Sequence, residues 1–263
     1  MRKSSTGKST GNTAGKKRGN KPVPSNRIDI VIPVYNEGKN ILRVLAAFER
    51  EVKSPLRLLI CYDHEDDTTL AALAGVRTKF EIVPVRNRGR KAHGAVRTGL
   101  AYGRSPVVIT YMADDDYNAG LIDRMVEKFR QGCEVVVPSR FLPGGSLEGC
   151  RWYKALPLRI AAWTLAHLAR FPAHDPTNAF RLFSRRLLDA VTIESSVGFT
   201  FSIELTAKCH RLGWKICEIP ARWFERNEGK SRFHVFDWAG GYLRWYFYIF
   251  ATTYLRRRSG WSR

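Results

Sequence analysis

The stretch ITYMADDDYNAG, residues 109–120, runs from apolar residues straight into three carboxylates, Asp114, Asp115 and Asp116. Carboxylate oxygens are hard ligands that suit Mg2+ or Mn2+, ions that commonly take one or two carboxylates together with substrate phosphates. Two aspartates at i and i+2 after a strand end can face one ion, which marks Asp114 and Asp116. A solvated turn capping the next helix uses the same residue types, so the cluster alone leaves both readings open. A second acidic segment, DHEDDTT (63–69), ends another apolar run, and RNRGRKAHGAVR (86–97) is strongly basic. That basic segment offers either phosphate contacts at a helix start or an exposed charged face. TGKST (6–10) imitates the end of a phosphate-binding loop, but Arg2 stands where the motif needs glycine. His93 and His174 fall in no triad or metal spacing and are read as structural.

These residues need elements to position them. RIDIVIPV, LRLLICYD, KFEIVPV, SPVVITYM and CEVVVPSR read as strands. EGKNILRVLAAFEREV, DDTTLAALAGV, RKAHGAVRTGLAYG and AGLIDRMVEKFRQG read as the helices between them. Strands alternating with helices predict an α/β fold, a mostly parallel, doubly wound sheet flanked by helices. Ligands of such sheets bind beyond the carboxyl ends of the strands. Those ends here are Pro33–Glu37, Asp63–Asp67, Arg86–Lys91, Asp114–Asp116 and Ser139–Arg140, a rim acidic at its centre and basic at its sides. Asn36 fits an N-cap for the helix that follows the first strand. After Arg140 the rhythm breaks into a turn-rich loop, FLPGGSLEG, and a helical segment interrupted by Pro157.

The chain has 263 residues, 44% of them apolar, which supports one large core. Lys and Arg number 44 against 24 Asp and Glu, a formal charge of +20 that calls for an anionic partner. Much of the surplus lies in residues 1–27, which contain no acid and read as a disordered basic arm. The rest follows the rim, with no recognisable nucleic-acid motif, so nucleic acid is not expected as a partner. Five cysteines with no CxxC argue against a disulfide framework or a cysteine zinc site, and for a reducing cytosol. Residues 234–263 form an aromatic segment ending in Arg256, Arg257 and Arg258, interrupted by Asp237 and Arg244. A spanning helix needs roughly 20 predominantly apolar residues. An amphipathic helix at a membrane interface and a helix packed on the domain both fit.

DIVIPVYNEGKNI resembles the opening of the family 2 glycosyltransferases, which have the Rossmann-like GT-A fold; ICYDHEDDTT and MADDDYN resemble their second and metal-binding motifs. SRFLPGG, DPTNAFRLF, GFTFSIELTAK and ERNEGKSRF are similar, in order, to the polyprenyl or dolichyl phosphate mannose (or glucose) synthase branch. The resemblance implies a catalytic domain over residues 28–233. It also implies an inverting, metal-dependent transfer of a hexose from GDP-mannose or UDP-glucose to a polyprenyl phosphate lipid, on the cytoplasmic face of a membrane. Pro33, Tyr35, Glu37 and Asp63 would border the nucleoside. Asp114 and Asp116 would hold Mg2+ or Mn2+, with Asp116 among the catalytic residues. Met112 stands where the branch often has the first Asp of this motif, so Asp115 remains an alternative ligand. Arg140 and Lys154 would receive the acceptor phosphate, and Arg226 and Arg232 would close over the donor phosphates. A soluble acceptor, or a basic non-catalytic membrane- or nucleic-acid-binding protein, are the competing readings. The chain lacks the QxxRW of processive synthases, since Gln131 is its only glutamine.

Overall fold

The computed structural model describes residues 27–224 and 235–255. The strands are β1 (Ile28–Pro33), β2 (Leu56–Tyr62), β3 (Glu81–Arg86), β4 (Val107–Thr110), β5 (Val135–Ser139), β6 (Ser146–Glu148), β7 (Arg181–Ser184), β8 (Ile216–Pro220) and β9 (Arg222–Phe224). The helices are α1 (Gly38–Glu51), α2 (Thr68–Leu73), α3 (Lys91–Tyr102), α4 (Leu121–Arg130), α5 (Trp152–His167), α6 (Arg185–Ala190), α7 (Phe201–Leu212) and α8 (Val235–Leu255).

Seven strands form one sheet in the order β3-β2-β1-β4-β7-β5-β8. Successive strand residues point to opposite faces, and both faces are buried. Ile28, Ile30 and Ile32 of β1 join Leu58 and Ile60 of β2 under α1 and α4. Val31 and Leu59 point the other way, into a second core with α3, α7 and α8. Gly99 lets α3 lie close on this face: a Cβ there would stand 2.3 Å from a Val31 methyl and 2.7 Å from Cys61 Sγ. The expected mostly parallel sheet is present. β7 departs from it, running antiparallel between β4 and β5, and so brings the segment before Arg181 to the carboxyl rim.

At the opposite end of the sheet the buried Asp29 is gripped by Arg57, with Nε and Nη2 each at 2.9 Å. Burial alone would raise the Asp29 pKa; the Arg57 bonds and the amides of Ser105 and Arg104 overcome it and hold the carboxyl below its ordinary value.

Three expectations are corrected. Cys133 and Cys217 form a disulfide, although the cysteine spacing suggested none. Pairing of β5 with β8 sets Val136 opposite Cys217, which brings together residues 84 apart in sequence. Pro157 does not interrupt α5, which runs through it from Trp152 to His167. Pro157, the sixth residue of α5, forfeits the bond its nitrogen would otherwise give the Tyr153 carbonyl, and it is exposed. The N-cap of α1 is Glu37 rather than Asn36. The basic arm lies outside the described residues, except for Arg27.

Candidate functional site

The rim is assembled from the strand ends. Pro33 closes β1 opposite Cys61 of β2, and the Val34 amide continues the ladder to the Cys61 carbonyl at 2.9 Å. Asn36 takes φ +57°, a left-handed conformation that asparagine tolerates. Its amide donates to both Asp67 oxygens at 3.1 Å, and its Oδ1 accepts from the Thr68 amide at 3.1 Å. Asp67 also caps α2 through the Thr69 amide at 2.8 Å, so one buried carboxylate ties the first two loops of the rim together. Tyr35 is left exposed beside His64, ring centroids 6.4 Å apart. Glu37 accepts from Asn40 Nδ2 at 2.6 Å. Asp63, after β2, accepts from Asn87 Nδ2 at 2.5 Å, and Asn87 Oδ1 accepts the Gly89 amide at 2.7 Å. Asp67 and Asn87 are the rim residues that sequence reasoning passed over. Each sits in a stretch already singled out, followed by residues whose amides need an acceptor.

At the end of β4 the three aspartates part company. Asp115 turns inward and is buried, accepting the Asn118 amide at 3.0 Å and Asn118 Nδ2 at 2.8 Å. Burial pushes its carboxyl up to about 6 against those bonds, and the Asp114 charge adds to the rise. Asp114 and Asp116 stay half-exposed, and Asp116 pairs with Arg43 of α1 at 3.4 Å. Asn118 Nδ2 also donates to the Arg222 carbonyl at 2.9 Å, and the Tyr117 and Phe224 rings meet edge to face at 4.8 Å. The acidic turn is thereby tied to β9.

No group of three or more His, Cys, Asp or Glu among the described residues is arranged to hold a metal ion by itself. Two half-exposed carboxylates, with the third withdrawn, match what Mg2+ or Mn2+ requires when substrate phosphates complete the shell. The donor set present fits such an ion.

Arg140 follows β5. Its Nε and Nη2 each lie 2.7 Å from an oxygen of the buried Asp175, and Nη2 also donates to Thr177 Oγ1 at 2.6 Å. Burial would raise the Asp175 pKa, but the Arg140 charge and hydrogen bonds hold it below its ordinary value. Arg181, fully buried, donates from Nη2 to the Asp175 carbonyl and from Nη1 to the Ser202 carbonyl at 2.8 Å. Lys154 lies in the first turn of α5. Arg226 and Arg232 lie outside the described residues. His93 is buried with its ring nitrogens against the Gly198 and Ser195 carbonyls, and His174 Nδ1 meets Glu218 at 2.6 Å.

The rim therefore brings Pro33, Tyr35, Asp63 and the acidic turn onto the adjacent ends of β1, β2 and β4, with Arg140 beyond β7. A Glycosyl transferase family 2 model matches residues 29–192. The chain belongs to the family 2 glycosyltransferases. Polyprenol monophosphomannose synthase of Mycolicibacterium smegmatis is 26% identical over 219 residues, spanning 80% of this chain and 82% of that protein. A dolichol-phosphate mannosyltransferase of Pyrococcus furiosus is 21% identical over 210 residues, 78% of this chain and 59% of that protein. Glucosyl-3-phosphoglycerate synthase from Mycobacterium tuberculosis, crystallised with Mn2+, UDP and glucosyl-3-phosphoglycerate, shares the fold. Its TM-score is 0.60 at 16% identity, over 89% of this chain and 82% of that one. The expected family and its GT-A architecture are thus both present in this glycosyltransferase.

Proposed function

We propose that this family 2 glycosyltransferase moves a hexose, mannose or glucose, from GDP-mannose or UDP-glucose to the phosphate of a polyprenyl lipid. The observation that carries the reading is the Arg140 fork. A buried carboxylate holds the guanidinium rigid at the end of β5, a fixed cation at the rim for a phosphate oxygen. The likeness to polyprenol monophosphomannose synthase supports the same acceptor.

On this reading Pro33, Tyr35, Glu37 and Asp63 bind the nucleoside, a ring and carboxylates suiting a base face and sugar hydroxyls. Asp114 and Asp116 would hold Mg2+ or Mn2+, and the ion would supply positive charge against the departing diphosphate. Arg226 and Arg232 add cationic charge there. A phosphate monoester is anionic at neutral pH, so its oxygen attacks the sugar C1 without a strong general base. The new C1–O bond forms as the C1–O bond to the nucleoside diphosphate breaks, and the configuration inverts. Arg140 and Lys154 hold the nucleophile in line, and alignment with charge neutralisation provides the catalysis. An enzyme of this kind works at the cytoplasmic face of a membrane, where its acceptor resides.

The test is incubation with radiolabelled nucleotide sugars, polyprenyl phosphate and divalent metal, followed by organic extraction. Labelled lipid is the expected product. Label appearing only on a soluble phosphate acceptor would favour the second reading, suggested by the glucosyl-3-phosphoglycerate bound in the structural relative.

A further inference from the structure

α5 presents large apolar side chains to solvent along one side. Trp152 is 76% exposed and Trp163 56%, with Leu156 and Ile160 between them also exposed. Ala162, Leu165 and Ala169 point the other way, into the core. These spacings are those of one helix face against its opposite. α8 repeats the arrangement, with Trp245, Ile249 and Thr252 buried while Phe247 is 63% exposed and Leu255 78%. α8 is tied to α5 by Tyr246, which donates to Thr164 Oγ1 at 2.8 Å, and to the turn just after α5 by Thr253, which donates to the Ala169 carbonyl at 2.5 Å. Exposed apolar side chains grouped on two joined helices mark an interaction surface rather than scattered surface residues.

The charge around this face identifies its occupant. From Gly149 to His174 the sequence contains Arg151, Lys154, Arg159 and Arg170 and no acid. Arg151, Arg159 and Arg170 are exposed. Aromatic rings at headgroup depth with arginines on anionic lipid are the chemistry of a helix lying in a bilayer interface. No described helix is long and apolar enough to cross a membrane. We propose that α5 and α8 together form a docking face that lies on an anionic bilayer, with Trp152, Leu156, Ile160, Trp163 and Phe247 inserted. This stands on its own observations, independent of the acceptor assignment. It adds to that reading a way for the enzyme to reach a lipid phosphate, since α5 begins at the turn that carries Lys154.

The experiment is flotation of the full chain with vesicles of phosphatidylcholine alone or with phosphatidylglycerol added, at low salt and at 0.5 M NaCl (about 4 Å screening length), which weakens purely electrostatic attachment by the basic arm. Brominated acyl chains report insertion by quenching tryptophan. Expected are preference for the anionic vesicles, residual binding at high salt, and quenching. In Trp152→Ser/Trp163→Ser the high-salt partitioning should fall roughly tenfold and quenching should diminish, with circular dichroism and melting unchanged. Should that variant fail to fold, Ile160→Ser alone gives the same comparison. Failure of the wild type to bind, a double variant that binds and is quenched like wild type, or a stable dimer that covers the face would overturn the proposal. Vesicle binding without any labelled lipid product would leave it standing and sink the acceptor reading instead.

Discussion

Asp175 grips the guanidinium of Arg140 with two parallel 2.7 Å hydrogen bonds, and its own backbone carbonyl accepts from Arg181. One buried residue thus engages two cations, Arg140 through its carboxylate and Arg181 through its backbone carbonyl. Breaking such a pair from one side leaves an uncompensated buried charge and costs about 3–5 kcal/mol. Asp175→Asn should lower stability by that order in urea unfolding. A loss below about 1 kcal/mol would mean the pair behaves as a surface contact.

Asp29 and Asp175 both have depressed carboxyl pKa values in the folded protein. Their contribution is present above the unfolded value of 3.8 and is lost as pH falls through the lower folded values. Acid unfolding should therefore begin only below pH about 4 and shift to higher pH in Arg57→Met, which removes one partner. Identical acid midpoints for variant and wild type would contradict this.

Asp115 runs the other way. Its folded pKa is raised from 3.8 to about 6, so its contribution is full below 3.8 and lost as pH rises through about 6. The full window amounts to on the order of 3 kcal/mol, and the part between pH 5 and 7.5 to roughly half that. Denaturant unfolding at those two pH values should show the decline in wild type and a flatter profile in Asp115→Asn. Equal slopes would remove the buried carboxylate from the account.

Asp114→Asn should abolish metal-dependent transfer and weaken Mn2+ binding, read by electron paramagnetic resonance, with the melting temperature little changed. Full activity in that variant would move the metal site elsewhere. Asp115→Asn, by contrast, should act mainly on stability, because its carboxylate is already engaged by Asn118.

The oxidised chain should show three titratable thiols in denaturant, Cys61, Cys150 and Cys209, and all five after reduction. The bridge spans 84 residues, for which chain-entropy arguments give a stabilisation of about 4.6 kcal/mol. Five thiols without reductant would return the protein to the reduced state its cysteine spacing suggests.

The alternation of β-branched runs with amphipathic helices, and the polar residues where those runs stop, determined by themselves the α/β architecture and the location of the rim. Both are local properties, written in periodicity and in the residues that end each strand. What the three aspartates do individually was not local. Asp115 is withdrawn by Asn118, a residue whose other partner is the Arg222 backbone, 104 positions away. Arg140 was legible as a cation at a strand end, but the carboxylate that aims it arrives only because β7 inserts antiparallel between β4 and β5. The same long-range pairing makes the Cys133–Cys217 bridge, and the docking of α8 beside α5 joins two apolar faces that are separate in sequence. Burial and partner choice depend on which distant segments the sheet order brings together, and only the tertiary structure decides that.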